Sequence, residues 1–175
     1  RFLASPEVGI ATNWVMPVMS IGQVAEILTM FVLGSVLKKL GWRWTMVVGV
    51  LGHVLRFFVF ANFPEHPWLI VTINVVHGIC YAFFFATVYI FVDAAFPKDV
   101  RSSAQGLFNL LILGIGNVAA SFLFPALMAQ WTDASGAVDY RTLFMVPAGM
   151  AVVAILLLAA FFRPAERAPA SVAVA

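Results

Sequence analysis

The stretch SIGQVAEILTMFVLG, Ser20 to Gly34, decides the fold. An amide at Gln23 and a carboxylate at Glu26 stand three residues apart in an otherwise apolar run. What they mean depends on the solvent around that run, and composition identifies it. Of the 175 residues, 63% are hydrophobic and 10% charged, against about 25% charged in an ordinary soluble domain. So few charges cannot cover a water-soluble body of this size. The apolar residues also fall in long unbroken runs rather than at amphipathic spacing. The chain reads as an all-α integral membrane protein, with Glu26 inside hydrocarbon.

Outward from that stretch, five spans follow: Trp14 to Leu37, Trp44 to Asn62, Trp68 to Phe91, Ser103 to Met128 and Leu143 to Phe162. Each holds about the 20 residues that cross roughly 30 Å of hydrocarbon. The intervening KKLGWR, FPEHP, FPKDVRS and QWTDASGAVDYR concentrate Pro, Gly and charge. Backbone groups in lipid must be satisfied within the segment, so the spans are expected to be helices. The domain reading is an extracytoplasmic segment over 1–13, a five-helix membrane domain over 14–162, and a disordered Ala/Pro-rich cytoplasmic tail over 163–175.

Basic residues at span ends favour the cytoplasmic side. Lys38, Lys39, Arg43, Lys98, Arg101, Arg163 and Arg167 fall on one side by alternation. Arg1 and Arg141 fall on the other, with Glu7, Glu65, Asp133 and Asp139. The expected topology is a plasma-membrane (inner-membrane) protein with its N-terminus outside and its C-terminus in the cytoplasm. The chain opens on Arg1 without a signal-like pattern, which leads us to expect a cut within a longer protein whose earlier helices precede it. The net charge of +2 is dispersed over loops and points to no nucleic-acid partner. The lone Cys80 excludes an internal disulfide framework or a cysteine metal cluster.

Three sets of polar residues sit within the spans. Glu26 precedes Lys38 by twelve residues and Arg56 follows Trp44 by the same number. On antiparallel helices both lie about 18 Å from the cytoplasmic face. Either they form an ion pair locking two helices, or Glu26 serves a substrate or proton site. Gln23, on the same face, adds an amide that both donates and accepts. In the third span Asn74, His77 and Tyr81 make an i, i+3, i+7 stripe followed by Phe84 and Phe85, a lining suited to a flat hydrogen-bonding molecule, or ordinary packing. In the fourth, Gln105, Asn109 and Asn117 share a face and could simply bond between helices, while Gly114 and Gly116 permit close approach or bending. His53 and His77 fall at similar depth, so a bis-histidine haem site in a membrane cytochrome subunit is the rival from another class. Ser102 and Ser103 have no matching histidine and acid, and there is no phosphate loop. An enzyme is not expected.

Two features are similar to a known group. GSVLKKLGWR, Gly34 to Arg43, resembles the cytoplasmic loop of the major facilitator superfamily, with Gly34, Lys39, Gly41 and Arg43 at its glycine and basic positions and Lys38 where an aspartate is usual. The wider set IGQVAEI, GHVLRFFVFA, HGICYAFFFATVYIFVD and RSSAQGLFNLLILGIGN resembles the bacterial nucleoside:proton symporters of that superfamily. The resemblance implies that the spans are helices eight to twelve of twelve. It implies alternating-access uptake of a nucleoside, or another polar metabolite, with the proton as coupling ion and no other cofactor. It matches Gln23 and Glu26 to nucleoside-binding positions and His77 and Tyr81 to pocket aromatics. With the stripe and depth readings above, the expected substrate-binding residues are Gln23, Glu26, Asn74, His77 and Tyr81, and the expected proton-coupling residues Glu26 and Arg56. The family's acidic position beside its pocket aromatic is Ala82 here, which leaves Glu26 as the chief coupling carboxylate. Asp93 matches an acidic position that would latch a gate with Lys39 or Arg43, or would be only a solvated helix-end charge.

Overall fold

Gly41 is where the first long apolar stretch changes direction. The computed structural model describes residues 2–164, so all but the first two residues of the expected disordered tail, 163–175, lie outside the described residues. Thr12–Asn62 is two helices meeting at a sharp kink, where Gly41 sits at φ 70°, ψ 175°. That left-handed backbone suits a residue without a Cβ, and it divides the run into α1 (residues 12–40) and α2 (residues 42–62). Three further helices follow: α3, Pro67–Ala95; α4, Arg101–Gln130; and α5, Tyr140–Phe161. Among the described residues four helical stretches have membrane-crossing length and composition, and dividing the first at Gly41 gives five helices, close to the five spans expected. Among the described residues, loops join these helices, with a 3-10 turn at Phe2–Ala4 and an isolated antiparallel bridge between Thr132 and Val138.

The glycines fix how α1, α2 and α3 run. Gly22 of α1 lies against His77, Gly78 of α3 lies against Ala25 and Glu26, and Leu33 packs with Ala82 and Phe83. Rising numbers on α1 meet rising numbers on α3, so the two are parallel. On α2 the order reverses: Gly49 meets Phe83 and Phe84, Gly52 meets Cys80, and Arg56 meets His77 and Asn74. α1 and α2 therefore form an antiparallel hairpin whose limbs both pack on α3. Water does not drive apolar faces together inside a bilayer, so close backbone approach at small residues carries much of the association. Gly78 is the tightest point, since a Cβ there would come within 2.2 Å of the Glu26 amide nitrogen.

One apolar cluster, with Val18, Val59, Phe60, Ile70 and Ile73, gathers the end of the hairpin away from Gly41. Phe2 packs edge-on to Phe144 of α5 there, and Phe144 also meets Phe57 and Phe60 of α2. At the other end Trp42 meets Phe91, which meets Phe162. α5 thus runs antiparallel to α2. Its first turn is capped by Asp139, whose carboxylate accepts from the Thr142 amide at 3.1 Å and the Thr142 hydroxyl at 2.6 Å. Those bonds, the hydroxyl first, hold the Asp139 carboxyl below the usual carboxylate range.

α4 stands apart, with no buried residue along its length. It is joined to α3 by the Tyr89 hydroxyl, which donates to Asn109 Oδ1, and by the Tyr89 ring against Phe108. Asn109 therefore plays the interhelical role open to it from sequence, while Asn117 Nδ2 turns back to the Leu113 carbonyl at 2.9 Å. Asp93 does not latch to Lys39 or Arg43: it accepts from Arg101 Nη1 at 3.0 Å, across the turn joining α3 to α4. Arg101 is held there by a second bond, from its Nε to the Phe96 carbonyl at 2.9 Å. Two π-helical turns interrupt the α-helices, at Tyr81–Ala86 in α3 and Leu110–Gly116 in α4. In the first, the Thr87 hydroxyl donates to the Ala82 carbonyl five residues back at 3.1 Å. Such turns rotate the side chains beyond them relative to those before.

Candidate functional site

The seam between α1 and α3 orients the polar residues. Gly22, Ala25 and Leu33 face α3, while Gly78 and Ala82 face α1. At about 100° per residue, Glu26 and then Gln23 turn off the α1 side of that seam in the direction of winding. On α3, His77 and Tyr81 precede the seam residues and turn off against the winding. The helices are parallel and face each other, so these opposite rotations bring Gln23, Glu26, His77 and Tyr81 to the same side. Gln23 and Tyr81 are exposed there, and Glu26 and His77 are half-buried.

Arg56 reaches this group from α2. Its Nη1 donates to His77 Nδ1 at 3.1 Å and its Nη2 to Asn74 Oδ1 at 3.3 Å. The guanidinium carbon lies 5.2 Å from the centre of the Phe60 ring, at cation–π distance. Asn74 is 1% exposed, and its Nδ2 donates to the Ile70 carbonyl at 2.8 Å. Both ends of that amide are engaged within the protein, so Asn74 is a strut between α2 and α3 rather than a surface offered to a solute. Arg56 Nε and His53 Nδ1 are buried without a hydrogen-bond partner among the described residues.

The ion pair open to Glu26 and Arg56 from sequence is not formed. Their depth does match, since Glu26 lies at Gly78 and Arg56 at His77, neighbours on α3. The guanidinium is drawn instead to two neutral acceptors on α3, and the only salt bridges among the described residues are His66 with Glu65 and Asp93 with Arg101. His53 stacks on Phe57 of its own helix, with ring centres 6.1 Å apart, while the Nδ1 of His77 is taken by Arg56. This does not favour two imidazoles facing across a haem.

Sequence reasoning named the residues of this cluster but missed its wiring. The sequence matched Arg56 in depth to Glu26, and gave no sign of its bonds to Asn74 and His77. Tyr89, which ties α3 to α4, gives no sequence signal for that role, since a tyrosine near a span end is common at the membrane interface. The π turn at Tyr81–Ala86 left no distinctive signature in an aromatic run.

The sequence matches, over residues 1–167, the family described as Nucleoside H+ symporter. It is 28% identical over 149 residues to the nucleoside permease NupG of Escherichia coli, a match covering 83% of this chain and 35% of that protein. It is 28% identical over 171 residues to the putative nucleoside transporter YegT, covering 91% and 39%, and 29% identical over 137 residues to the xanthosine permease, covering 77% and 32%, both from the same organism. A crystal structure of the nucleoside transporter NupG superposes with a TM-score of 0.79 at 26% identity, covering 93% of this chain and 41% of NupG; a second gives 0.77. The chain thus spans about two fifths or less of the length of these relatives. These relatives are transporters rather than enzymes or cytochromes, and the protein is a multi-pass membrane protein belonging to the nucleoside:proton symporter family.

Proposed function

We propose that this chain supplies helices eight to twelve of a proton-coupled nucleoside uptake carrier, working by alternating access. The observation that carries the reading is the placement of Gln23 and Glu26 of α1 beside His77 and Tyr81 of α3, on one side of one seam, in a chain of this family. A carboxylate, an amide, an imidazole and a phenol together supply donors and acceptors for sugar hydroxyls and base edges, with an aromatic face for stacking. Asn74 and Arg56 support this surface from behind.

Glu26 is the coupling group in this reading. A charged carboxylate costs several kcal/mol when moved out of water without a partner, and a bound proton removes that charge before the loaded carrier turns. Arg56 does not neutralise it here, so the proton is the available neutraliser in this arrangement. The N-terminus lies outside and the C-terminus in the cytoplasm, as the distribution of basic loop residues favours.

Labelled uridine uptake into right-side-out vesicles holding the intact carrier, with an imposed proton gradient acid outside, tests the reading. Glu26→Gln is expected to abolish uphill accumulation while uridine exchange or binding persists. Undiminished accumulation in that variant, or no competition by any nucleoside in the unaltered carrier, would overturn it.

A further inference from the structure

The hydrogen bond between Arg56 and His77 has only one possible sense. A guanidinium has five donors and no acceptor. His77 Nδ1, 3.1 Å from Arg56 Nη1, must therefore present its lone pair. An imidazole whose Nδ1 accepts is neutral and carries its proton on Nε2.

The ring's position shows where that proton goes. Nδ1 faces Arg56 of α2, and Cδ2 faces Gly22 of α1, where an added Cβ would meet it at 3.0 Å. With those two atoms turned toward opposite neighbours, the edge formed by Cε1 and Nε2 points away from the α3 backbone. Nε2 adjoins Cδ2, so it lies toward the α1 side, where Gln23 and Glu26 turn off the seam. No protein acceptor bonds to it among the described residues, and it is not one of the buried unpartnered atoms. The guanidinium is held in turn by Asn74 Oδ1 and the Phe60 ring.

We infer that Arg56 is a positioning residue that fixes His77 as the neutral Nε2–H tautomer, so that the ring offers the cargo one hydrogen-bond donor and no acceptor. This rests on the transport reading above for the identity of the cargo, but not for the tautomer. A nucleobase with a carbonyl oxygen or a bare ring nitrogen at that edge is then accepted, and one with an N–H there is opposed. Without Arg56 the ring is free to take either tautomer, and this preference relaxes.

The test uses the full-length carrier in lipid bilayers with ¹⁵N-histidine, as the unaltered protein and as Arg56→Met and Arg56→Lys. Unaltered carrier should show a His77 resonance pair with Nε2 protonated and Nδ1 bare. Arg56→Met should show a tautomer mixture, and Arg56→Lys, which also only donates, should restore the Nε2–H form. Binding of uridine is compared with binding of analogues lacking the 2-oxo or the 4-oxo group. One of these analogues should bind roughly 3- to 10-fold more weakly to unaltered carrier, the worth of one neutral hydrogen bond. That ratio should fall toward one in Arg56→Met and recover in Arg56→Lys. An Nδ1–H or doubly protonated His77 in unaltered carrier, or an analogue ratio equal in all three proteins, overturns the inference. Absence of uridine binding throughout would sink the transport reading, while the nitrogen spectra would still decide the tautomer.

Discussion

Arg56 Nη2 and Asn74 Oδ1, 3.3 Å apart, join α2 to α3 through a charge-assisted bond whose acceptor is almost wholly buried. Burial withholds Asn74 from a solute, and its Nδ2 and Oδ1 already bond within the protein, to Ile70 and Arg56. Asn74→Leu should therefore act on stability, leaving a guanidinium donor short of a partner at a cost of about 1 to 3 kcal/mol. Thermal unfolding in detergent should show the loss. A double-mutant cycle with Arg56→Met should return a coupling of about 0.6 to 1.7 kcal/mol, the range for polar pairs between membrane helices.

Gly78 and Gly34 make a matched pair of tests. A Cβ at Gly78 would overlap the α1 backbone at Ala25 and Glu26, whereas one at Gly34 meets nothing within 4 Å. Backbone cannot rotate away as a side-chain tip can. Gly78→Ala should destabilise the carrier by about 1 to 3 kcal/mol or prevent folding, and Gly34→Ala should be tolerated. Folded yield and unfolding temperature measure both, and equal behaviour would mean that α1 and α3 do not touch where described.

Asp93 and Arg101 form an exposed pair, with the Asp93 side chain 61% accessible. Exposed pairs contribute about 0 to 1 kcal/mol and weaken with salt. Asp93→Asn is expected to shift the unfolding temperature little, and less at high ionic strength. A large loss that Lys39→Gln or Arg43→Gln reproduced would restore the gate-latch assignment.

The Asp139 cap should show itself in acid. Its carboxyl is held below the usual range by the Thr142 hydroxyl and amide. The folded state therefore binds fewer protons than the unfolded one as pH falls past the unfolded value of about 4. The cap's contribution is fully present above that pH and disappears as pH drops through the lower folded value. Asp139→Ala should remove about 1 kcal/mol at neutral pH and flatten this part of the acid limb. Hydrogen exchange over the first turn of α5 would locate the loss.

Much of this protein was legible from residue order alone. Low charge and long apolar runs identify the solvent, and the solvent leaves helix as the way to satisfy the backbone, so the spans around Glu26 and the break near Gly41 could be read directly. Helical spacing also grouped Gln23 with Glu26 and His77 with Tyr81, because faces within one helix are fixed by 3.6 residues per turn. Which faces of different helices meet is another matter, since it depends on crossing points that single glycines permit. Gly78 admits the α1 backbone at Ala25 and Glu26, one residue from His77 on α3, and no ion pair joins Glu26 to Arg56 among the described residues. Depth was computable for Arg56, but its partner was not: a long side chain with five donors takes whatever acceptors packing brings within reach. Packing brought Asn74 and His77, and so tertiary structure decided that the arginine bonds these two neutral side chains instead of pairing with an acid.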